Sequence, residues 1–263
     1  MNRPRLGVDS YTLRALQWDA IQLLDYAATV GLDCVQFSEL PHIARPMEKA
    51  TDEGFLRQVR AYAERLGIRL EMGTWGVCPT SRAFNPKRGG TAPEQLGLAI
   101  RVAAILGATT VRCVVGNEVE RKENGPIEKH IDAMIAVCRA VRDQALRAGV
   151  KIAIENHKDL RAEEMRYLVE QAGPDYVGVC LDTGNPILVL EDPLETVEIL
   201  APYALTTPFA TPPSGNTRAA PLFSGWPWVR ATWELTPWSA SSRGAARTSR
   251  LTWKLSPGAR RRF

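Results

Sequence analysis

An α/β fold, a (β/α)₈ TIM barrel left incomplete at its C-terminal end with about seven strands, is what this sequence predicts. Three observations carry it. Apolar runs of strand length alternate with amphipathic helical stretches, a glycine closes the helical stretch before most of those runs, and two successive runs end in carboxylates. Alternating strand and helix means a parallel sheet, and a (β/α)₈ barrel keeps its active site at the carboxyl ends of its strands. A doubly wound open sheet is the other topology, but no Gly-x-Gly-x-x-Gly follows the first strand, where a dinucleotide site needs it. At 263 residues the chain fits one barrel with a large core.

The series opens with a strand near Leu6 to Ser10. A helix from Trp18 to Thr29 follows, with Ile21, Leu24 and Ala28 on one side, and Gly31 precedes the run Cys34-Val35-Gln36-Phe37. The helix Gly54 to Leu66, with Phe55, Val59 and Tyr62, is closed by Gly67 before Ile68-Arg69-Leu70-Glu71. Thr91 and Glu94 have capping-box spacing for a helix from Thr91 to Leu106, with Pro93 tolerated in its first turn. Gly107 then precedes Val111 to Val115. A helix from Ile127 to Ala148 ends at Gly149 before Val150 to Glu155, and a helix from Ala162 to Ala172 ends at Gly173 before Tyr176 to Leu181. Glycine just past a helix takes the left-handed conformation that closes the last turn. A seventh strand falls around Leu205-Thr206-Thr207.

The chemistry concentrates where Ile152-Ala153-Ile154-Glu155-Asn156-His157 and Val179-Cys180-Leu181-Asp182-Thr183-Gly184-Asn185 carry apolar runs into Glu155 and Asp182. A lone acid there is more often a helix cap, but two on successive strands point to a shared site. His157 shares the face of Glu155 by strand alternation and binds a substrate oxygen or is a plain loop histidine. Arg112 is costly to bury unpaired, so a carboxylate or substrate anion meets it, with Glu71 on the neighbouring strand the obvious partner. Trp75, Phe37 and Tyr11 either wall a pocket or pack the core. His42, His130 and the run Arg121-Lys122-Glu123 read as surface features. Cys34, Cys78, Cys113, Cys138 and Cys180 contain no Cys-x-x-Cys pair and read as small buried hydrophobes in a reduced cytoplasm. No apolar run approaches a membrane span, and Met1 to Arg5 lead into a strand and not a signal-peptide core, so the expected location is cytoplasmic.

Composition breaks near residue 208. Residues 1–207 hold 24 Lys+Arg against 28 Asp+Glu, whereas residues 208–263 hold eight Arg and Lys254 against the single acid Glu234. Those last residues also carry five of the seven tryptophans and seven of the 18 prolines, with no period that fits a strand or helix. A basic segment with interleaved aromatics fits a nucleic-acid-binding extension. A change of reading frame fits better. Tryptophan has one codon, so a frame taking the last base of one codon and the first two of the next is partly forced. Trp226/Pro227 becomes Ala, Trp228/Val229 and Trp233/Glu234 become Gly, and Trp253/Lys254 becomes Glu. With permitted codons, Trp226 through Thr236 reads Ala-Met-Gly-Glu-Gly-Asn-Val-Gly-Ile-Asp, and a His codon after Thr207 that loses one base yields Pro208. Two segments follow: a barrel domain over residues 1–207 and an aberrant, basic, poorly ordered and out-of-frame segment over 208–263.

The strand ends Ile-Glu-Asn-His157 and Leu-Asp-Thr-Gly-Asn185 resemble the sugar phosphate isomerase/epimerase superfamily, the xylose-isomerase-like TIM barrels, over residues 5–207. The resemblance implies one divalent cation, Mn²⁺, Mg²⁺ or Co²⁺, held by Glu, Asp, His and Glu from the last four strands. Glu155 matches the first ligand and Asp182 the second. Pro208 stands where the His would follow Thr207, and the final Glu has a counterpart only out of frame at Trp253/Lys254. In such a site the cation stabilises an enediolate while glutamates move the proton, so Glu155 takes the catalytic role and His157, Arg112, Glu71 and Asn185 bind substrate. The implied activity is an isomerase or epimerase of a small sugar or keto acid, impaired in this chain. Alternatives are a dehydratase or decarboxylase of the same superfamily, or a non-catalytic damaged member. The endonuclease branch is disfavoured, because it uses three metals and many histidines and this chain has three. No nucleic-acid or membrane partner is expected, and a homo-oligomer stays open.

Overall fold

The computed structural model describes residues 5–209 and 229–232. Among these, seven strands run parallel in chain order: β1 (Arg5–Asp9), β2 (Cys34–Phe37), β3 (Arg69–Gly76), β4 (Thr110–Val114), β5 (Lys151–Glu155), β6 (Val177–Cys180) and β7 (Ala204–Phe209). Each hydrogen-bonds the next, in registers such as Gln36 opposite Glu71 and Glu155 opposite Cys180. The gap between β7 and β1 holds a short segment, β8 (Val229–Thr232), which pairs antiparallel with both and closes the ring. No strand was expected there. The unpaired edges of β1 and β7 offer backbone donors and acceptors to whatever chain lies between them, and the antiparallel direction distinguishes β8 from the parallel eighth strand of a complete (β/α)₈ barrel. The rest of residues 208–263, on which the frame reading bears, lies outside the described residues.

The helices are α1 (Ala20–Thr29), α2 (Met47–Ala50), α3 (Glu53–Leu66), α4 (Ala92–Leu106), α5 (Glu118–Lys122), α6 (Glu128–Ala140), α7 (Arg142–Ala148), α8 (Ala162–Ala172) and α9 (Pro193–Leu200). The stretch predicted as one helix over 127–148 is broken at Val141, the C-cap of α6 and N-cap of α7. Gly67, Gly107 and Gly149 close α3, α4 and α7 at φ between 63° and 73°, as their spacing predicted. Gly173 ends α8 differently, at φ 128° and ψ 100°. The buried face of α1 is Leu23, Leu24 and Ala27, one position off the expected stripe, because Ala28 points to solvent. Behind the strands, side chains such as Phe37, Met72, Ile152 and Leu168 fill the layer between sheet and helices. All five cysteines are buried and free, and burial pushes the Cys138 thiol up to about 12. No helix among the described residues is long and apolar enough to cross a membrane.

Asp19 shows how local sequence fixes an element. Its carboxylate accepts the Ile21 and Gln22 N–H groups at 3.0 and 3.1 Å, and the Gln22 side chain accepts the Asp19 N–H at 3.1 Å. This reciprocal box satisfies donors that the first turn leaves without partners. Asp19→Ala is expected to cost about 1 kcal/mol in urea unfolding. A midpoint unchanged at constant slope would show that the box contributes nothing.

Candidate active site in the barrel lumen

In-register residues of parallel strands share a face, so Asp9, Gln36 and Glu71 face the same way on β1, β2 and β3. Arg112 on β4 pairs with Ala153, two residues before Glu155 on β5, and Glu155 pairs with Cys180 on β6, which pairs with Thr206 on β7. Two contacts between strands that are not neighbours prove that this face is the interior. The Arg112 guanidinium lies 3.6 Å from the Asp9 carboxylate on β1, and the Thr206 hydroxyl on β7 donates to Glu71 Oε2 on β3 at 3.0 Å. Both cross the lumen.

Arg112 is also 3.3 Å from Glu155 Oε2. Besides Glu71, expected as its partner from the neighbouring strand, Arg112 therefore has Glu155 and Asp9 set against it, and Glu71 receives hydrogen bonds from Thr206 and from Gln36 Nε2, the latter at 3.0 Å. Asp9 accepts the Tyr11 N–H at 2.9 Å and a hydrogen bond from the Ser38 hydroxyl. Buried charges are tolerated where they are paired, and a single guanidinium bridging β1 and β5 meets that condition.

Asp182, 2% exposed, lies just past the end of β6, two residues after Cys180, the in-register partner of Glu155, which is 9% exposed. Asn156 ties the two strand ends together, because its carboxamide accepts the Asp182 N–H at 2.6 Å and donates to the Asp182 carbonyl at 2.9 Å. The Asp182 Oδ1 accepts the backbone N–H groups of Gly184 and Asn185 at 2.7 and 3.2 Å. Asp182 therefore caps the following turn, and Asn185 reaches it through its backbone. His157 Nδ1 lies 2.9 Å from the Gly116 carbonyl, which only accepts, so Nδ1 carries a proton and donates, leaving Nε2 for other contacts. The N–H of Gly116 is held at 2.6 Å by the buried Asp159 carboxylate, whose pKa burial raises and the nearby imidazole opposes.

Tyr11 and Trp75 meet edge to face at 5.9 Å, and the Arg112 guanidinium lies 5.9 Å from the Trp75 ring, so both aromatics wall the mouth. Trp75 also lines a neighbouring cleft of about 190 Å³ with Glu39, Asn85 and Arg88. Phe37 belongs to the core, at 0% exposure. Two histidines expected at the surface are not there. His130 is fully buried, bonded to the Thr80 hydroxyl at 2.7 Å and the Asn124 carbonyl at 2.9 Å. His42 is half-buried against the Ser10 hydroxyl at 2.8 Å, and burial lowers its pKa. Arg121 also turns inward, to the Asp159 carbonyl and Glu164. Sequence reasoning passed over Gln36, Asp9, Asn156 and Thr206. A glutamine inside a four-residue buried strand was the available signal for the first.

Glu155 and Asp182, the carboxylates singled out by the sequence, are hard oxygen donors of the type a divalent cation takes. Among the described residues, no three His, Cys, Asp or Glu side chains form a group able to hold a metal ion. One carboxylate faces a guanidinium and the other accepts two backbone N–H groups. These residues do not complete a four-donor set.

The family described as xylose isomerase-like TIM barrel matches residues 24–210. A 3-oxo-isoapionate decarboxylase from Pectobacterium atrosepticum is 23% identical over 146 residues, 56% of this chain and 46% of that protein, so the chain spans about half the length of the curated relative it matches. Among solved structures, L-ribulose 3-epimerase is similar at a TM-score of 0.63 and 18% identity, over 82% of this chain and 74% of that one. A 3-keto-D-glucoside 4-epimerase from E. coli is similar at a TM-score of 0.63 and 12% identity, over 82% and 84%. At these identities the structural likeness is one of fold.

Proposed function

The chain belongs to the xylose isomerase-like TIM barrel family, and from that premise we propose that its lumen binds a small sugar or keto acid and retains one proton-transfer group, Glu155, of an isomerase or epimerase whose turnover is impaired. The observation that supports this reading is Glu155, set against Arg112 on a lumen face shared with Gln36 and Glu71, with the strand that leads into Asp182 as its in-register neighbour. A carboxylate beside a bound carbonyl compound can remove a proton from the adjacent carbon and return it. Arg112 orients that carboxylate, and His157 offers Nε2 to a substrate hydroxyl. A divalent cation, Mn²⁺, Mg²⁺ or Co²⁺ in the complete family site, would supply stabilisation of the developing enediolate charge. The described residues provide half of its donors, so no step in this chain is routed through it. We attribute the missing half to a frame change at or next to Pro208, which places residues 208–263 outside the family sequence.

A second reading, a lyase that loses carbon dioxide or water through the same enediolate, is favoured by the decarboxylase relative. Both readings predict proton exchange at the carbon beside the carbonyl. Incubated with L-ribulose in deuterium oxide and followed by proton NMR, the chain is expected to exchange that hydrogen slowly, a version with the frame restored faster, and Glu155→Gln in either not above the buffer rate. Exchange unchanged by Glu155→Gln would remove Glu155 from the mechanism.

A further inference from the structure

We propose that Gln36 is a substrate-binding residue whose side-chain carbonyl accepts a hydrogen bond from a ligand hydroxyl, so that the lumen takes a polyhydroxylated ligand by a neutral, hydroxyl-bearing end seated between β2 and β3. This rests on the sugar-site reading and adds the class of ligand and its orientation. Gln36 is 1% exposed and shares the lumen face with Asp9 and Glu71. Its amide nitrogen donates to Glu71 Oε2 at 3.0 Å, and that oxygen also receives the Thr206 hydroxyl from across the barrel at 3.0 Å.

Those two donors hold the Glu71 carboxylate, and the carboxylate in turn fixes which way the carboxamide points. The reverse orientation would set two acceptors against each other. With the nitrogen held by Glu71, Gln36 Oε1 is a buried acceptor without a hydrogen-bond partner among the described residues. Nearly all buried acceptors are satisfied, and an exception calls for a donor that arrives with water or with a ligand.

The surroundings select the donor. A ketone oxygen or a carboxylate cannot donate, and an anionic group would face the Glu71 charge. A hydroxyl satisfies both conditions.

Calorimetric titration of the full 263-residue chain with L-ribulose, and with analogues each lacking one hydroxyl, tests this. Gln36→Met keeps the volume and removes the acceptor, and is expected to weaken L-ribulose about three- to tenfold, the range for one neutral hydrogen bond. One deoxy analogue should bind the unmutated chain just as weakly and lose nothing further on Gln36→Met, the signature of a coupled pair. Equal L-ribulose affinity for Gln36→Met and the unmutated chain overturns the proposal. If Gln36→Met fails to fold, the analogue series alone decides: a flat profile across the hydroxyls overturns it. No ketose binding by the unmutated chain would overturn the sugar-site reading and this proposal together, whereas binding that ignores Gln36 would overturn this proposal only.

Discussion

Manganese is expected to bind this chain more than about a hundredfold more weakly than a version in which the frame after Thr207 is restored. Altering groups that merely support metal ligands costs ten- to a hundredfold in affinity, and on the proposed reading two of four direct ligands are lost, at Pro208 and at Trp253/Lys254. The two carboxylates that remain are already committed, Glu155 to Arg112 at 3.3 Å and Asp182 to two backbone N–H groups. A cation entering the lumen has to compete with those contacts. Side-by-side calorimetric titrations measure the difference. Comparable affinities would mean that the last two strands contribute no ligand and that the assignment of the site is wrong.

Arg112→Met is expected to destabilise the barrel by about 3–5 kcal/mol. The guanidinium is 6% exposed and lies between the Asp9 and Glu155 carboxylates at 3.6 and 3.3 Å. Removing one partner of a buried pair leaves the other charge without compensation, which is why the loss exceeds the net worth of the pair itself. Arg112→Met combined with Glu155→Gln should recover part of the loss, because residues in contact do not act additively. Urea unfolding followed by circular dichroism reports both. A single-variant loss below about 1 kcal/mol, as expected of an exposed ion pair, would show that the carboxylates are solvated and the lumen open to water.

The strands and most helices were legible in the sequence because glycine punctuation and apolar runs are local signals. The break at Val141 was not, since no Gly or Pro marks it and both flanks keep a helical pattern. α9 was passed over although Asp192 accepts the Leu194 and Glu195 N–H groups and Pro193 opens the helix. Its exposed Leu194 blurs the stripe that would have announced it. In the site, Glu155 and Asp182 stood out because acids ending apolar runs are conspicuous. The partners of Arg112 and Glu71 did not, because contacts from β4 to β1 and from β3 to β7 join residues more than a hundred positions apart through a lumen that only closure of the barrel creates. His130 misled for a related reason. Its partners, Thr80 and Asn124, come from loops whose approach no local pattern encodes.

Central to the account is that β1 to β7 carry half of a family site whose other half lies in the neighbouring frame. The coding DNA from Thr207 to Lys254 tests it most directly. The account predicts that the frame one base over stays open throughout, encodes Glu where Trp253 and Lys254 are now read, and becomes continuous with Thr207 through a His codon once a single base is restored at Pro208. A stop codon in that frame, or no single-base change that restores a His codon after Thr207, would contradict it.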